Sequence, residues 1–282
     1  MLSPHVYQLI DLALAEDLGS GDSTTDALFD GSELATAQLL AKSDVVICGS
    51  EVFDRVMRRV DRIIRVKWIF PDGAEVPSGT VIAELAGPVA SILKAERTGL
   101  NFLQRLSGIA TKTRRYAEAL AGTGTQITDT RKTLPGWREL DKMAVRAGGG
   151  RNHRMDLGGG VMIKDNHIAA AGSIRSAIHT VRAIAPHTLR IECEVTNFDE
   201  LREAVDAGAD IILLDNMNND DTAEAVSLAR QLAGARPILL EASGGITLDR
   251  LRDLAETGVD LISSGALTHS VEAADISLDF VD

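Results

Sequence analysis

An α/β fold whose C-terminal part is a parallel, barrel-like sheet follows from three features of this sequence. Beyond residue 120, short apolar runs recur at Gln126–Asp129, Val161–Lys164, Ile191–Val195, Ile211–Asp215, Ile238–Ala242 and Leu261–Ser264. Amphipathic stretches of helical spacing separate them, at Ile174–Ile184, Leu201–Ala207, Thr222–Leu232 and Leu248–Thr257, the last followed by a helix-stopping Gly258. The runs are continuously Ile/Leu-rich rather than alternating, as in parallel strands covered on both faces. A sheet closed or nearly closed into a barrel is the economical solution, with a doubly wound open sheet as the alternative. Neither GxGxxG nor GxxxxGK[ST] is present to favour the latter.

The N-terminal part has a different rhythm. Ser3 and Pro4 can cap and start a helix whose apolar residues Val6, Leu9, Ile10 and Leu14 share a face, and Gly19 can end it. Strand-like runs follow at Ala37–Leu40, Val45–Cys48, Ile64–Ile69 and Val81–Leu85, with a Pro71-Asp72-Gly73 turn between the last two. A helix over about Ile92–Ser107 then leads out of this strand-rich domain. The reading is two domains, 1–107 and 108–270, with the tail 271–282 packing back on the first.

Composition narrows the functional classes. Hydrophobic residues make up 45% and charged residues 25% of 282 residues, enough to bury a full core without staples. No apolar run reaches the ~18 residues of a membrane span, and the acidic N-terminus does not resemble a secretory or transit signal. A cytoplasmic protein with no membrane partner is expected. The net charge of −12 argues against nucleic acid as a partner, because phosphate neutralisation needs clustered positive charge. Cys48 and Cys193 lie far apart in apolar contexts, as small buried hydrophobes do.

Against that acidic background, residues 131–164 carry eight Lys/Arg and three Asp/Glu, a local excess of five positive charges. Arginine forks pair with carboxylates and lysine supplies a point charge to phosphate, so Arg131, Lys132, Arg151, His153, Arg154 and Lys164 imply a ligand with several anionic groups. Arg138, Lys142 and Arg146, at spacings of four, suit a solvated helix face instead. In α/β barrels the active site lies at the strand C-termini, and those positions are polar here. They carry Asp129-Thr130-Arg131-Lys132, Lys164-Asp165-Asn166, Glu194, Asp215-Asn216, Ser243-Gly244-Gly245 and Ser264-Gly265. The two glycine loops suit close approach of backbone N–H groups to phosphate, although SGG also makes an ordinary tight turn. Glu194 and Asp215 suit ribose hydroxyls, Mg²⁺ or a cationic sugar transition state, with a buried acid-base pair as the competing reading. Glu192 and Glu194 share a strand face, so spacing leaves open which acid serves the site. His5, His179 and His187 read as surface residues, whereas His153 and His269 flank the anion-site motifs.

These motifs resemble the quinolinate phosphoribosyltransferases, the carboxylating nicotinate-nucleotide pyrophosphorylases. The likeness runs through EDLGSGDSTT (16–25), ERTGLNFLQRLSGIAT (96–111), DTRKTLPG (129–136), GGGRNHR (148–154), IKDNHI (163–168), LLDNM (213–217), EASGGI (241–246) and SSGALTHS (263–270). It implies an N-terminal α/β sandwich domain, an open TIM-like α/β barrel, and a homodimer or hexamer in which the partner's N-terminal domain closes each barrel mouth. The expected reaction takes quinolinate and phosphoribosyl pyrophosphate to nicotinate mononucleotide, pyrophosphate and CO₂, with Mg²⁺ as cofactor. Quinolinate contacts fall on Arg131, His153, Arg154 and Lys164, with Arg97 reaching in from the partner. The phosphoribosyl side falls on Lys132, Glu194, Asp215, Ser243, Gly244, Gly245, Ser264, Gly265 and His269. Lys132, Lys164, Glu194 and Asp215 are the expected catalytic set, and Glu194 and Asp215 the direct or indirect metal ligands. Gly158-Gly159-Gly160, Met143 and Trp137 depart from the family pattern. A related molybdenum-transport branch with altered basic motifs is disfavoured, since DTRKT, NHR and KDNH are intact here.

Overall fold

A computed structural model of the chain describes residues 2–281. The chain divides into two compact units, one built from 1–114, 133–149 and 268–282, the other from 115–132 and 150–267. The segment 133–149, read from sequence as part of the barrel domain, therefore belongs to the first unit.

In the first unit, α1 (Pro4–Leu18) starts as its capping signal predicts, the Ser3 hydroxyl accepting the Val6 N–H. A short α2 (Thr25–Leu28) precedes β1 (Leu34–Ala41) and β2 (Val45–Val46). Helix α3 (Ser50–Val60) is absent from the sequence reading, although Val52, Phe53, Val56 and Met57 are spaced to share one face and are fully buried. Strands β3 (Arg65–Trp68), β4 (Glu75–Val76) and β5 (Val81–Pro88) follow. A four-stranded antiparallel sheet has the order β12-β1-β5-β3, where β12 (Ile276–Val281) is the C-terminal tail, and β2 pairs with β4. Helix α4 runs from Val89 to Ala119, well past the expected end at Ser107. Gly108 lies inside it because the tail crosses there: an added Cβ would sit 2.1 Å from the Glu272 carbonyl oxygen.

Helix α5 (Arg138–Ala147) also belongs to this unit. Of the three basic residues expected on a solvated face, Arg146 is exposed and Arg138 half-buried, but Lys142 is not solvated. Lys142 is 1% exposed, and the neighbouring Asp141 is fully buried with a two-pronged Arg105 guanidinium at 3.0–3.2 Å. Trp137 stacks on Phe102 at 4.6 Å between centroids, which accounts for an aromatic at this unusual position by packing.

The second unit holds six parallel strands, β6 (Gln126–Thr128), β7 (Val161–Ile163), β8 (Ile191–Val195), β9 (Ile211–Asp215), β10 (Leu239–Ser243) and β11 (Leu261–Ser263). Their order is β6-β11-β10-β9-β8-β7, so the sheet is open, with β6 and β7 at its two edges. Helices α6 (Asp165–Ala171), α7 (Ile174–Ile184), α8 (Phe198–Asp206), α9 (Asn219–Ala233) and α10 (Leu251–Glu256) complete the βα repeat, and α11 (Ala266–His269), whose last two residues fall in the first unit, follows β11. Ile191, Cys193 and Val195 of β8 occupy one face and are buried, while Glu192 and Glu194 occupy the other. Cys193 is thus a core residue, its thiol pushed up to about 12 chiefly by burial, and Cys48 is likewise buried and unpaired.

Candidate active site

A cavity of about 330 Å³ opens among the strand ends of the second unit. Thr130, Arg131 and Lys132 after β6, His153 and Arg154 before β7, Lys164 after β7, Glu194 of β8, Asp215 of β9, Ser243 of β10 and Ser263 of β11 line it, with Glu241 also in its wall. Eight residues expected from sequence to serve the reaction therefore meet in one place. Six come from the ends of five strands, β6 to β10, and His153 and Arg154 from the loop before β7, because each βα turn delivers one or two side chains to the same edge of a parallel sheet.

The loop before β7 is tied down at several points. Thr128 bridges Arg151 in parallel register, and the buried Asp129 carboxylate accepts the Asn152 side-chain amide at 2.6 Å and the His153 N–H at 2.9 Å. The Arg154 guanidinium donates to the Gly160 carbonyl at 3.0 Å. Gly158-Gly159-Gly160, whose effect on loop stiffness is open from sequence, thus contributes a main-chain anchor for Arg154. Burial and the neighbouring Arg131 charge hold Arg154 below the usual guanidinium range. Arg131 has a buried Nε with no hydrogen-bond partner. Two guanidinium groups within mutual influence, one with a buried N–H unmet, are an unfavourable arrangement until an anion enters.

The two acids of β8 that spacing leaves equivalent have different partners. Glu194 accepts from the Lys164 ammonium at 2.6 Å within the cavity. Glu192 is 3% exposed and lies 3.0 Å from His153 Nε2, with Glu241 at 4.0 Å from the same nitrogen. Glu241, 1% exposed, is pushed up to about 7, mostly by burial and then by the Glu192 charge. His153, Glu192 and Glu241 form the one cluster of three or more His, Cys, Asp or Glu side chains with converging ligand atoms among the described residues. Glu241 is missing from the sequence reading, though its place two residues before Ser243 puts it on the lumen face by strand alternation.

Gly244 and Gly245 line an adjoining cavity of about 560 Å³ with Asn216–Asp220 and Arg250. Gly244, at φ +87°, is required by close approach, since an added Cβ would sit 2.1 Å from Asn216 Oδ1. Asn216 itself adopts φ 57°, and its side chain donates to Asp215 Oδ2 at 2.7 Å. Arg250, not singled out from sequence, staples the two loops by donating to Asn219 Oδ1 (2.9 Å), the Gly244 carbonyl (3.4 Å) and the Met217 carbonyl (2.6 Å). Ser264 after β11 donates its N–H to the Thr128 carbonyl, and Gly265 follows it. Arg97 and His269 fall in the first unit. Arg97 lines a cavity there with Leu9, Leu12, Glu16, Asp17 and Trp137, and His269 Nδ1 lies 2.7 Å from the Ser270 hydroxyl.

An open parallel α/β barrel with arginines, lysines and a carboxylate pair at its strand ends defines an enzyme site for a polyanionic ligand. The two domain models of quinolinate phosphoribosyltransferases match the chain, the N-terminal one over residues 22–107 and the C-terminal one over 109–279. The chain belongs to this family. It is 45% identical over 274 residues to a probable carboxylating nicotinate-nucleotide pyrophosphorylase of Bacillus subtilis, covering 96% of this chain and 92% of that one. A mitochondrial decarboxylating quinolinate phosphoribosyltransferase of Nicotiana tabacum is 41% identical, covering 96% and 81%. The nicotinate-nucleotide pyrophosphorylase structure from Francisella tularensis superposes with a TM-score of 0.93 at 40% identity, covering 99% of this chain and 98% of that one.

Proposed function

We propose that the protein joins quinolinate to phosphoribosyl pyrophosphate, giving nicotinate mononucleotide, pyrophosphate and CO₂ in the de novo route to NAD. The observation that carries this reading is the Arg131–Arg154 pair beside Lys164, with the Arg131 Nε buried and unpartnered. Two adjacent carboxylates would satisfy such a cluster where one would leave charge unmatched. Family membership and the names of relatives at 41–45% identity point the same way.

Arg131, Arg154 and Lys164 orient the dicarboxylate so that the ring nitrogen faces C1 of the ribose. Lys132 and the Ser243-Gly244-Gly245 and Ser264-Gly265 turns take the phosphate groups, where main-chain N–H groups can approach closely. Glu194 and Asp215 face the ribose and steady positive charge that develops on it as pyrophosphate leaves. The same two acids suit Mg²⁺, for their donors are all oxygen and each carboxylate keeps a second oxygen beyond the one hydrogen-bonded to Lys164 or Asn216. When bound, Mg²⁺ would neutralise charge on the departing pyrophosphate. The ring nitrogen is cationic once bonded to the sugar, so the electron pair left by the departing 2-carboxylate is stabilised in place and then takes a proton. The chain's own contribution is positioning and charge matching.

As part of the same reading, we take the functional unit to be a homodimer or hexamer in which Arg97 serves the barrel of a partner chain; this rests on the resemblance. The test of the reaction is incubation of purified protein with Mg²⁺, phosphoribosyl pyrophosphate and either quinolinate or nicotinate, with assay of nucleotide and CO₂. Turnover of quinolinate with stoichiometric CO₂ is expected. Nicotinate should react poorly, because a missing carboxylate leaves the buried Arg131 Nε and the half-buried cationic groups beside it unmet, at a cost of about 1–3 kcal/mol or more. Comparable use of both acids would refute the assignment.

A further inference from the structure

The turn after β10 contains a peptide formed by two glycines, Gly244 and Gly245, whose plane can turn over without a Cβ clash, so its N–H is free to point either way. Arg250 removes that freedom. It stands six residues beyond Gly244, where α10 starts. Its guanidinium is placed from the neighbouring loop, donating to the Met217 carbonyl at 2.6 Å and to Asn219 Oδ1 at 2.9 Å. So placed, it presents Nη1 to the Gly244 carbonyl at 3.4 Å. That bond is long, but a cation facing a carbonyl oxygen is favourable at this distance, whereas the N–H end of an overturned peptide would be repelled. In a trans peptide the C=O and N–H point in opposite directions. With its carbonyl drawn to Arg250, the peptide directs the Gly245 N–H away from the guanidinium. Three of the five N–H donors of Arg250 are committed to the chain in this way.

Resting on the reading that this turn takes a phosphate group, we propose that Arg250 is a positioning residue that locks the Gly244–Gly245 peptide with its N–H turned toward the phosphate. It acts through the main chain, from outside the EASGGI motif at 241–246. The start of the turn has a support of its own. Asn216, at φ 57°, donates its main-chain N–H to the Ser243 carbonyl at 2.9 Å, and its side chain fills the space a Gly244 Cβ would need. Asn216 therefore holds the beginning of the turn and Arg250 its middle. Both supports come from the loop after β9 or are anchored on it, so the loops after β9 and β10 form one interlocked piece. An N–H aimed in advance needs no reorientation when the phosphate arrives, which is how preorganisation adds to affinity.

Arg250→Met removes the donors and keeps a side chain of similar reach. It should raise KM for phosphoribosyl pyrophosphate about tenfold, as loss of charge-assisted hydrogen bonds implies. The values of kcat and of KM for quinolinate should change by less than about twofold. Arg250→Lys keeps the cation and should lose about threefold or less. Asn219→Ala loosens the guanidinium without touching its charge. It should raise the same KM by about threefold alone and add nothing to Arg250→Met, as expected of two residues acting through one contact. A direct Arg250–phosphate contact predicts no effect of Asn219→Ala, and a purely structural role predicts that both KM values or kcat move together; either result overturns the proposal. Should Arg250→Met fail to fold, Arg250→Lys and Asn219→Ala carry the same comparison. A readout without turnover is the Gly245 amide resonance of ¹⁵N-labelled protein titrated with inorganic phosphate. It should shift in the unmutated protein and respond much less in Arg250→Met and Asn219→Ala. No response in the unmutated protein, or equal responses in all three, overturns the proposal. Absence of turnover by the unmutated protein would strike the reading of the reaction instead, and the amide titration still tests the lock.

Discussion

Replacing Glu241 with glutamine should make the protein more stable at alkaline pH and leave it nearly unchanged in mild acid. Glu241 is 1% exposed, and its carboxyl is pushed from an ordinary value of 4.5 up to about 7, first by burial and then by Glu192. The groups that face it are Glu192 on β8, His153 and Asp129 from the loops around β6 and β7, and the Ser263 hydroxyl on β11. In the unfolded chain the acid releases its proton near 4.5, whereas the folded protein keeps it until about 7. Between those values the folded state holds the extra proton, so stability falls as pH rises, by ~1.4 kcal/mol per pH unit. The contribution is fully present below pH 4.5 and lost above about 7, an interval worth about 3 kcal/mol. Glutamine has the shape of the protonated acid but does not titrate. Urea unfolding of both proteins, followed by circular dichroism at several pH values, should therefore give similar midpoints near pH 5 and a higher midpoint for Glu241→Gln near pH 8. Parallel pH profiles for the two proteins would refute the reasoning, since Glu241 would then be ionised in both folded and unfolded states over this range.

Glu194→Gln and Asp215→Asn should lower kcat by about tenfold or more while changing quinolinate affinity far less, because both acids face the ribosyl side; quinolinate titration beside steady-state kinetics decides. Gly244→Ala should destabilise the protein by about 2 kcal/mol or more, measured by urea unfolding, since the added carbon meets Asn216 Oδ1 at 2.1 Å and the φ of +87° is unfavourable for alanine. Arg97→Ala and Lys164→Ala proteins should each be nearly inactive, and mixing them with verified subunit exchange should restore activity, because one site in the mixed dimer has both residues intact. No recovery after exchange would place Arg97 in the service of its own chain.

The sequence by itself determined the parts of this protein that depend on local periodicity and residue chemistry. Ile174–Ile184, Ile191–Val195 and Ile211–Asp215 are legible to the residue because an apolar period and its caps are local signals. The same holds for Arg131, Lys164, Glu194 and Asp215 as strand-end residues, since a parallel βα repeat puts every strand end on one edge. What depends on neighbours distant in the chain was decided only by the tertiary structure. Helix α4 continues to Ala119, and the segment 133–149 joins the first unit, although neither carries a local stop or start signal for that choice. Lys142 sits at a spacing that suits a solvated face, yet it is buried, because the side of α5 that packs is set by residues contributed from elsewhere. Glu192 and Glu194 have the same strand parity, so only the arrival of His153 at one and Lys164 at the other distinguishes their duties. Periodicity records which face a residue is on; a partner's identity lies in a different stretch of chain, brought near by folding alone.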